Sequence, residues 1–184
     1  MLFRSLDPTK GQLGYRLKRS EQEGLLKKAL GNLKPGSVIV DATAGLLKDS
    51  LIFNSFGFRV IAIEQSKILG TILKVSQKAN VELSPIDLRI GQSENMLPQL
   101  NADVIYFDPM FEKEGSALRE RNLRLIKEIL AIESIQQDNQ VTFEKIYQNN
   151  YQKLIVKRPI KSKPFSKSFN YQIKGKSIRY DVYV

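Results

Sequence analysis

Apolar residues along this chain follow two spacings. Short unbroken runs, Val38-Ile39-Val40, Val60-Ile61-Ala62-Ile63, Ile86 to Ile90, Val104-Ile105-Tyr106-Phe107 and Leu154-Ile155-Val156, end at turn or charged residues and read as buried strands. Between them the apolar positions recur at helical intervals. The spacing predicts helices over 20–30, 46–56, 66–78, 116–132 and 141–151, with Ser20 as a cap for the first and Gly31 as its stop. A short helix follows Gly91, and residues 1–18 are expected to be an extended or irregular lead-in. The strand at 153–157 is expected to stop at Arg158-Pro159. Residues 161–167 read as a loop, and the alternating runs 169–174 and 177–184, parted by Gly175-Lys176, read as a closing hairpin. Strand and helix alternate from Ser37 to Asp108, which predicts an α/β fold: a mainly parallel sheet with right-handed crossovers and helices on both faces. With the hairpin the sheet has seven strands. In such sheets ligands bind at the carboxyl ends of the strands.

Three sequence features lie at those ends. The first strand runs into Asp41-Ala42-Thr43-Ala44-Gly45, a small-residue turn ahead of a helix. The second closes on Glu64, at the distance from a glycine-rich turn where an acid takes a ribose hydroxyl. The fourth stops at Asp108-Pro109-Met110-Phe111.

Composition narrows the chemistry. The 184 residues suit one domain over 1–184. Cysteine and histidine are both absent, so disulfides, thiolate or imidazole metal sites, cysteine nucleophiles and serine-histidine catalysis are closed. No metal is expected. The start of the chain lacks a signal-peptide apolar core, and no run suits a membrane span, so a soluble cytoplasmic protein is expected. The formal charge of +10 is concentrated late: from Lys145 onward the only acid is Asp181, while 31–144 is net negative. Local basicity of this kind predicts a polyanion-binding face.

A parallel sheet with an acid after each of its first two strands and a terminal antiparallel hairpin is similar to the Rossmann-like class I S-adenosylmethionine-dependent methyltransferase fold. Four ordered blocks carry a narrower resemblance: Asp41 to Gly45 with Lys48-Asp49, Tyr106 to Phe111 with Ser116-Ala117-Leu118, Val156-Lys157-Arg158-Pro159, and Arg179 to Tyr183. Together they resemble the bacterial 16S rRNA guanine-N2 methyltransferase J family, from about Gly31 to the C-terminus. Leu47 departs from that pattern, in which a second glycine follows Gly45, and the amino-terminal part looks short beside fuller members.

The resemblance implies S-adenosylmethionine as cofactor, methyl transfer to the exocyclic N2 amine of a guanine, and ribosomal RNA or the small ribosomal subunit as partner. The Asp108 carboxylate and the Pro109 carbonyl would accept the two amine hydrogens, with Phe111 stacked on the base. Orientation would be the main contribution, for which aligned systems gain about 7–11 kcal/mol. Asp41, Ala42, Thr43, Ala44 and Gly45 would hold the methionine part of the cofactor beside Asp108, Glu64 with Gln65 its ribose, and Gln92 and Ser93 its adenine. Lys157, Arg158, Lys161 and Lys163 would meet RNA phosphates, with Lys167, Phe165 and Phe169 nearby. The tetrad alone suits adenine or another amine as well as guanine. A basic RNA-binding relative without turnover is the other reading.

Overall fold

The computed structural model describes residues 14, 15, 17, 23–109, 117–136 and 138–184, with the backbone alone for 117–123. Seven strands form one sheet: β1 (Val38–Asp41), β2 (Arg59–Glu64), β3 (Asp87–Ile90), β4 (Val104–Phe107), β5 (Lys153–Pro159), β6 (Tyr171–Lys174) and β7 (Ile178–Tyr183). Their order is β3-β2-β1-β4-β5-β7-β6. The first five run parallel, β7 is antiparallel to β5, and β6 is antiparallel to β7. The expected mainly parallel seven-stranded sheet is present, with the hairpin's second strand inserted beside β5. The chain reverses its direction of travel across the sheet at β1, between β2 and β4, which is where a ligand crevice opens in such folds.

Six helices accompany the sheet among the described elements: α1 (Gly24–Leu30), α2 (Lys48–Ser55), α3 (Lys67–Ala79), α4 (Ser93–Met96), α5 (Ala117–Ile132) and α6 (Asn139–Tyr147). Strand residues alternate between two apolar layers. Ile39, Val60, Val104 and Ile155 pack with Leu26, Phe53 and Leu73 from α1, α2 and α3. Val40, Ile63, Ile105 and Leu154 pack with Phe143 and Ile146 from α6 on the other face. Helices therefore cover both faces. Lys153 ties α1 to the sheet by donating to the Leu30 carbonyl at 2.7 Å, a cation at a helix C-terminus.

Several boundaries differ from those expected, each for a local reason. Gly14, Tyr15 and Leu17 are helical, not extended, and Leu17 packs on the first core layer. Ser20 lies outside the described residues. The helix expected from 46 starts at Lys48, because Leu47 takes a left-handed conformation, φ 57°. The helix expected at 141–151 is α6, which starts earlier because Asp138 caps it through the Gln140 and Val141 amides, both at 3.0 Å. β5 continues through Arg158 to Pro159, since β7 pairs with it as far as Ile178.

Candidate active site

β1, β2 and β4 end side by side, and their final residues open onto one cavity of about 350 Å3. Asp41, the last residue of β1, is 2% exposed. Its carboxylate accepts the Ser50 hydroxyl at 2.5 Å and the Thr43 amide at 3.1 Å, which folds the turn back onto the strand end. Glu64 does the same from β2, accepting the Gly45 amide at 3.0 Å and the Ser66 amide at 2.9 Å. Gly45 takes φ 51°, a left-handed conformation that glycine adopts without the strain a side chain brings. Burial pushes both carboxyls up, Asp41 to about 7 and Glu64 to about 7, against the lowering effect of the hydrogen bonds they accept. The neighbouring carboxylates of Asp49 and Asp108 add to the rise at Asp41, and Glu133 adds to that at Glu64.

Thr43 connects this turn to the end of β4. Its hydroxyl oxygen accepts the Asp108 amide at 2.7 Å. The Asp108 side chain meets Lys157 from β5, Nζ to Oδ2 at 2.6 Å, and the same ammonium reaches Asp49 Oδ2 at 2.8 Å. Tyr106 donates its hydroxyl to Asp49 Oδ2 at 2.7 Å. Register explains the pairing. Phe107 lies opposite Val156, so Asp108 and Lys157 are the next residues on adjacent strands. Burial lowers the Lys157 ammonium, but the carboxylates of Asp49 and Asp108 outweigh it and hold the group above the ordinary lysine range. Burial, reinforced by Asp49, holds the Tyr106 phenol well above its usual value, so it stays a hydrogen-bond donor.

The predicted cofactor residues Asp41, Ala42, Thr43, Ala44, Gly45 and Glu64 all line this cavity. So do Gln65, Gln92, Ser93, Asp108 and Pro109, while Phe111 lies outside the described residues. The four predicted RNA contacts divide. Lys161 and Lys163 are exposed. Lys157 is turned inward by its two carboxylate partners, a correction to its expected place on an outward phosphate-facing edge. Arg158 is corrected too: it is 8% exposed, lies over the Phe165 ring at 3.8 Å from the centroid, and donates Nη2 to the Lys163 carbonyl.

The sequence reading assigned no role to Asp49, Tyr106 or Glu133. Asp49 and Tyr106 sit inside quoted motif blocks, and a two-residue period along β4 and β5 is the signal that joins Tyr106 and Asp108 to Lys157. Glu133 has no local signal. It follows α5 and reaches the start of α3, accepting the Lys67 amide at 2.8 Å and the Ser66 hydroxyl. This fastens the end of α5 beside Glu64, and Ile126 and Leu130 of α5 form part of the cavity wall.

The arrangement fits a compact, cation-bearing nucleoside ligand. Its volume lies in the range of small-molecule sites, about 300–1,000 Å3. Ile63, Leu69, Ile126 and Leu130 offer apolar wall, and the buried carboxylates suit hydroxyl or ammonium donors. Among the described residues, no group of three or more metal-binding side chains converges.

Comparison with known proteins agrees. The SAM-dependent methyltransferase family SAM_MT matches residues 5–184. The ribosomal RNA small subunit methyltransferase J of Rhodopseudomonas palustris (strain HaA2) is 30% identical, over 98% of this chain and 87% of its own length. That of Pseudoalteromonas translucida is 32% identical, over 98% of this chain and 76% of its own. The crystal structure of the SAM-dependent methyltransferase NGO1261 from Neisseria gonorrhoeae superposes with a TM-score of 0.61 at 25% identity, covering 87% of this chain and 70% of that one. With the strand order and the cavity at its reversal point, these matches make the chain a member of the S-adenosylmethionine-dependent methyltransferase family, related to the proteins named ribosomal RNA small subunit methyltransferase J.

Proposed function

We propose that the protein methylates the exocyclic N2 amine of a guanine in small-subunit (16S) ribosomal RNA, in the cytoplasm where subunits are assembled. One observation carries the reading: the Asp41–Gly45 turn, Glu64 and the Asp108-Pro109 pair open onto a single cavity. Bound S-adenosylmethionine supplies an electrophilic methyl group. Asp41 and the small-residue turn would hold the amino-acid end of that ligand, Glu64 and Gln65 its ribose, and Gln92 and Ser93 its base. The fit is electrostatic as well as steric, because carboxylates outnumber the Lys157 ammonium around Asp41, Asp49 and Asp108.

An exocyclic amine conjugated to a purine is a weak nucleophile, so its lone pair must be aimed. Asp108 accepts one amine hydrogen and the Pro109 carbonyl the other, and Phe111 supplies the stacking face. Lys157 and Thr43 do not touch the base. They hold Asp108 from its side chain and from its amide, so the acceptor is placed before the base arrives. The amine becomes acidic as its new bond forms, and its proton passes to water without a strong base. The choice of guanine rests on the family blocks, and that of ribosomal RNA is supported by the named relatives as well.

Transfer of tritiated methyl to 16S rRNA, to assembled small subunits and to DNA, followed by nucleoside analysis, tests the reading. Label in N2-methylguanosine is expected; label confined to N6-methyladenosine overturns the guanine assignment. Asp108→Ala is expected to lose roughly 10²–10³-fold in kcat, the scale for one preorganised polar group, with cofactor binding retained.

A further inference from the structure

Between Ile160 and Tyr180 the chain carries Lys161, Lys163, Lys167, Lys174 and Lys176 and no acidic residue. All five lysines are exposed, whereas the arginines at either end of the stretch, Arg158 and Arg179, are buried. The two residue types have separate tasks. Arg179 is 3% exposed and grips Asp181 through Nε at 2.7 Å and Nη2 at 3.2 Å. Its Nη1 donates to three loop carbonyls, Pro159 at 2.9 Å, Ile160 at 2.9 Å and Ser162 at 2.8 Å. Gln172 donates to Asp181 as well, at 2.7 Å, so the one acid of this region is engaged inside the fold. Arg158 holds the Lys163 carbonyl and stacks on Phe165, and that ring packs against Phe143 at 5.1 Å and Phe107 at 5.9 Å. The loop over 160–169 has no regular secondary structure, yet it is fastened from below at four points, Ile160, Ser162, Lys163 and Phe165.

Beside the loop lies a second cleft, of about 410 Å3, lined by Lys167, Lys174, Phe169, Gln172 and Arg179. It lies at the same end of β5 as the first cavity, on the sheet face opposite the Lys157–Asp108 pair. Lys174 pairs with Arg179, Arg179 with Arg158, and Arg158 follows Lys157, the partner of Asp108. Adjacent strands are about 4.8 Å apart, so Lys174, three strands across from β4, stands roughly 14 Å from the Asp108 strand.

We propose that this cleft is a preformed phosphate-binding surface for the RNA backbone flanking the target base, with Lys167 and Lys174 as its contacts and Arg158 and Arg179 as its scaffold. The inference rests on the reading that the substrate is RNA. Ammonium groups bind phosphate as point charges, and Phe169 offers an adjoining stacking surface. A loop already fixed by buried guanidinium groups loses little further freedom when the polyanion docks.

The test is filter binding of a 16S rRNA fragment over a series of salt concentrations with the intact protein. Lys167→Gln/Lys174→Gln is compared with Lys34→Gln/Lys78→Gln, an equal charge change at exposed positions away from this cleft. The cleft variant is expected to weaken RNA binding roughly tenfold or more and to lower the log–log salt slope by about 1.5, the share of two phosphate contacts. Its affinity for S-adenosylmethionine and its thermal unfolding should match wild type. Equal RNA affinity and slope in the two variants overturns the cleft while leaving the RNA reading intact. Failure of the wild-type protein to bind RNA at all overturns both.

Discussion

Two loops leave the same edge of the sheet, and each is held from beneath by buried charge of opposite sign. The turn over 41–45 is built on carboxylates: Asp41 and Glu64 accept backbone amides from Thr43, Gly45 and Ser66. The loop over 160–169 is built on guanidinium groups, with Arg179 and Arg158 donating to four backbone carbonyls. The carboxylates also line their cavity, so the groups that shape the turn are the groups a ligand meets. In the basic loop those tasks fall to different residues, arginines inside and lysines outside. Changes on the acidic side should therefore disturb shape and binding together, whereas on the basic side the two should separate.

The largest effect should come from the guanidinium scaffold. Arg179→Met leaves Asp181 charged and without its ion-pair partner in the interior, a situation that costs about 3–5 kcal/mol, readable as a lower urea midpoint. Arg179→Met/Asp181→Leu should regain most of that stability and still bind RNA weakly, because the three loop carbonyls lose their donor. Next is Glu64→Gln. A charged hydrogen-bond acceptor is worth about 1.5–3 kcal/mol, so calorimetry should show S-adenosylmethionine affinity falling roughly 10- to 100-fold, with RNA binding unchanged.

A smaller effect follows from pH. Asp41 and Glu64, raised by burial from 3.8 and 4.5 to about 7, keep their protons in the ligand-free fold after the unfolded chain has released them. Their contribution to stability is most favourable at acid pH, falls as pH rises from about 4 to about 7, and is level above that. Ligand binding has the opposite sense, since the ionised carboxylates attract a cationic cofactor. The stabilisation produced by S-adenosylmethionine, read as a rise in melting temperature, should be larger at pH 8 than at pH 6; its free energy grows by up to about 1.4 kcal/mol per pH unit below about pH 7 for each group. The smallest effect is expected at Leu47. Its left-handed backbone costs roughly 1–2 kcal/mol, while its side chain is fully buried in the first core layer. Truncating such a leucine costs about 2–5 kcal/mol, so Leu47→Gly should end about 2 kcal/mol less stable by urea denaturation, with the turn intact.

The architecture was readable because it depends on short-range pattern. Apolar runs and helical spacing placed the strands, and Asp41, Glu64 and Asp108 stood out as acids at strand ends. Sequence gives residue type without exposure, and in the basic region exposure separates residues that share one charged run. Lys157 and Arg158 were grouped with Lys161 and Lys163 as neighbours in one charged run, but strand alternation and the β5–β7 pairing send them elsewhere. Leu47 looked like a departure in the cofactor turn, yet its backbone adopts a glycine-like conformation while its side chain joins the core. The Glu133 contact with Ser66 and Lys67 depends on tertiary packing between segments far apart in the chain, which no local pattern records.

The position of β7 has a consequence for synthesis. This strand lies inside the sheet, between β5 and β6, although it is the last of the seven in sequence. A nascent chain that has produced everything up to β6 still leaves β5 with an open edge, the kind of surface that recruits other strands. It also lacks Arg179 and Asp181, and with them the fastening of 159–162. Completion of the core and of the basic surface is therefore a single late event, and a chain stopped short of Ile178 would lack both at once.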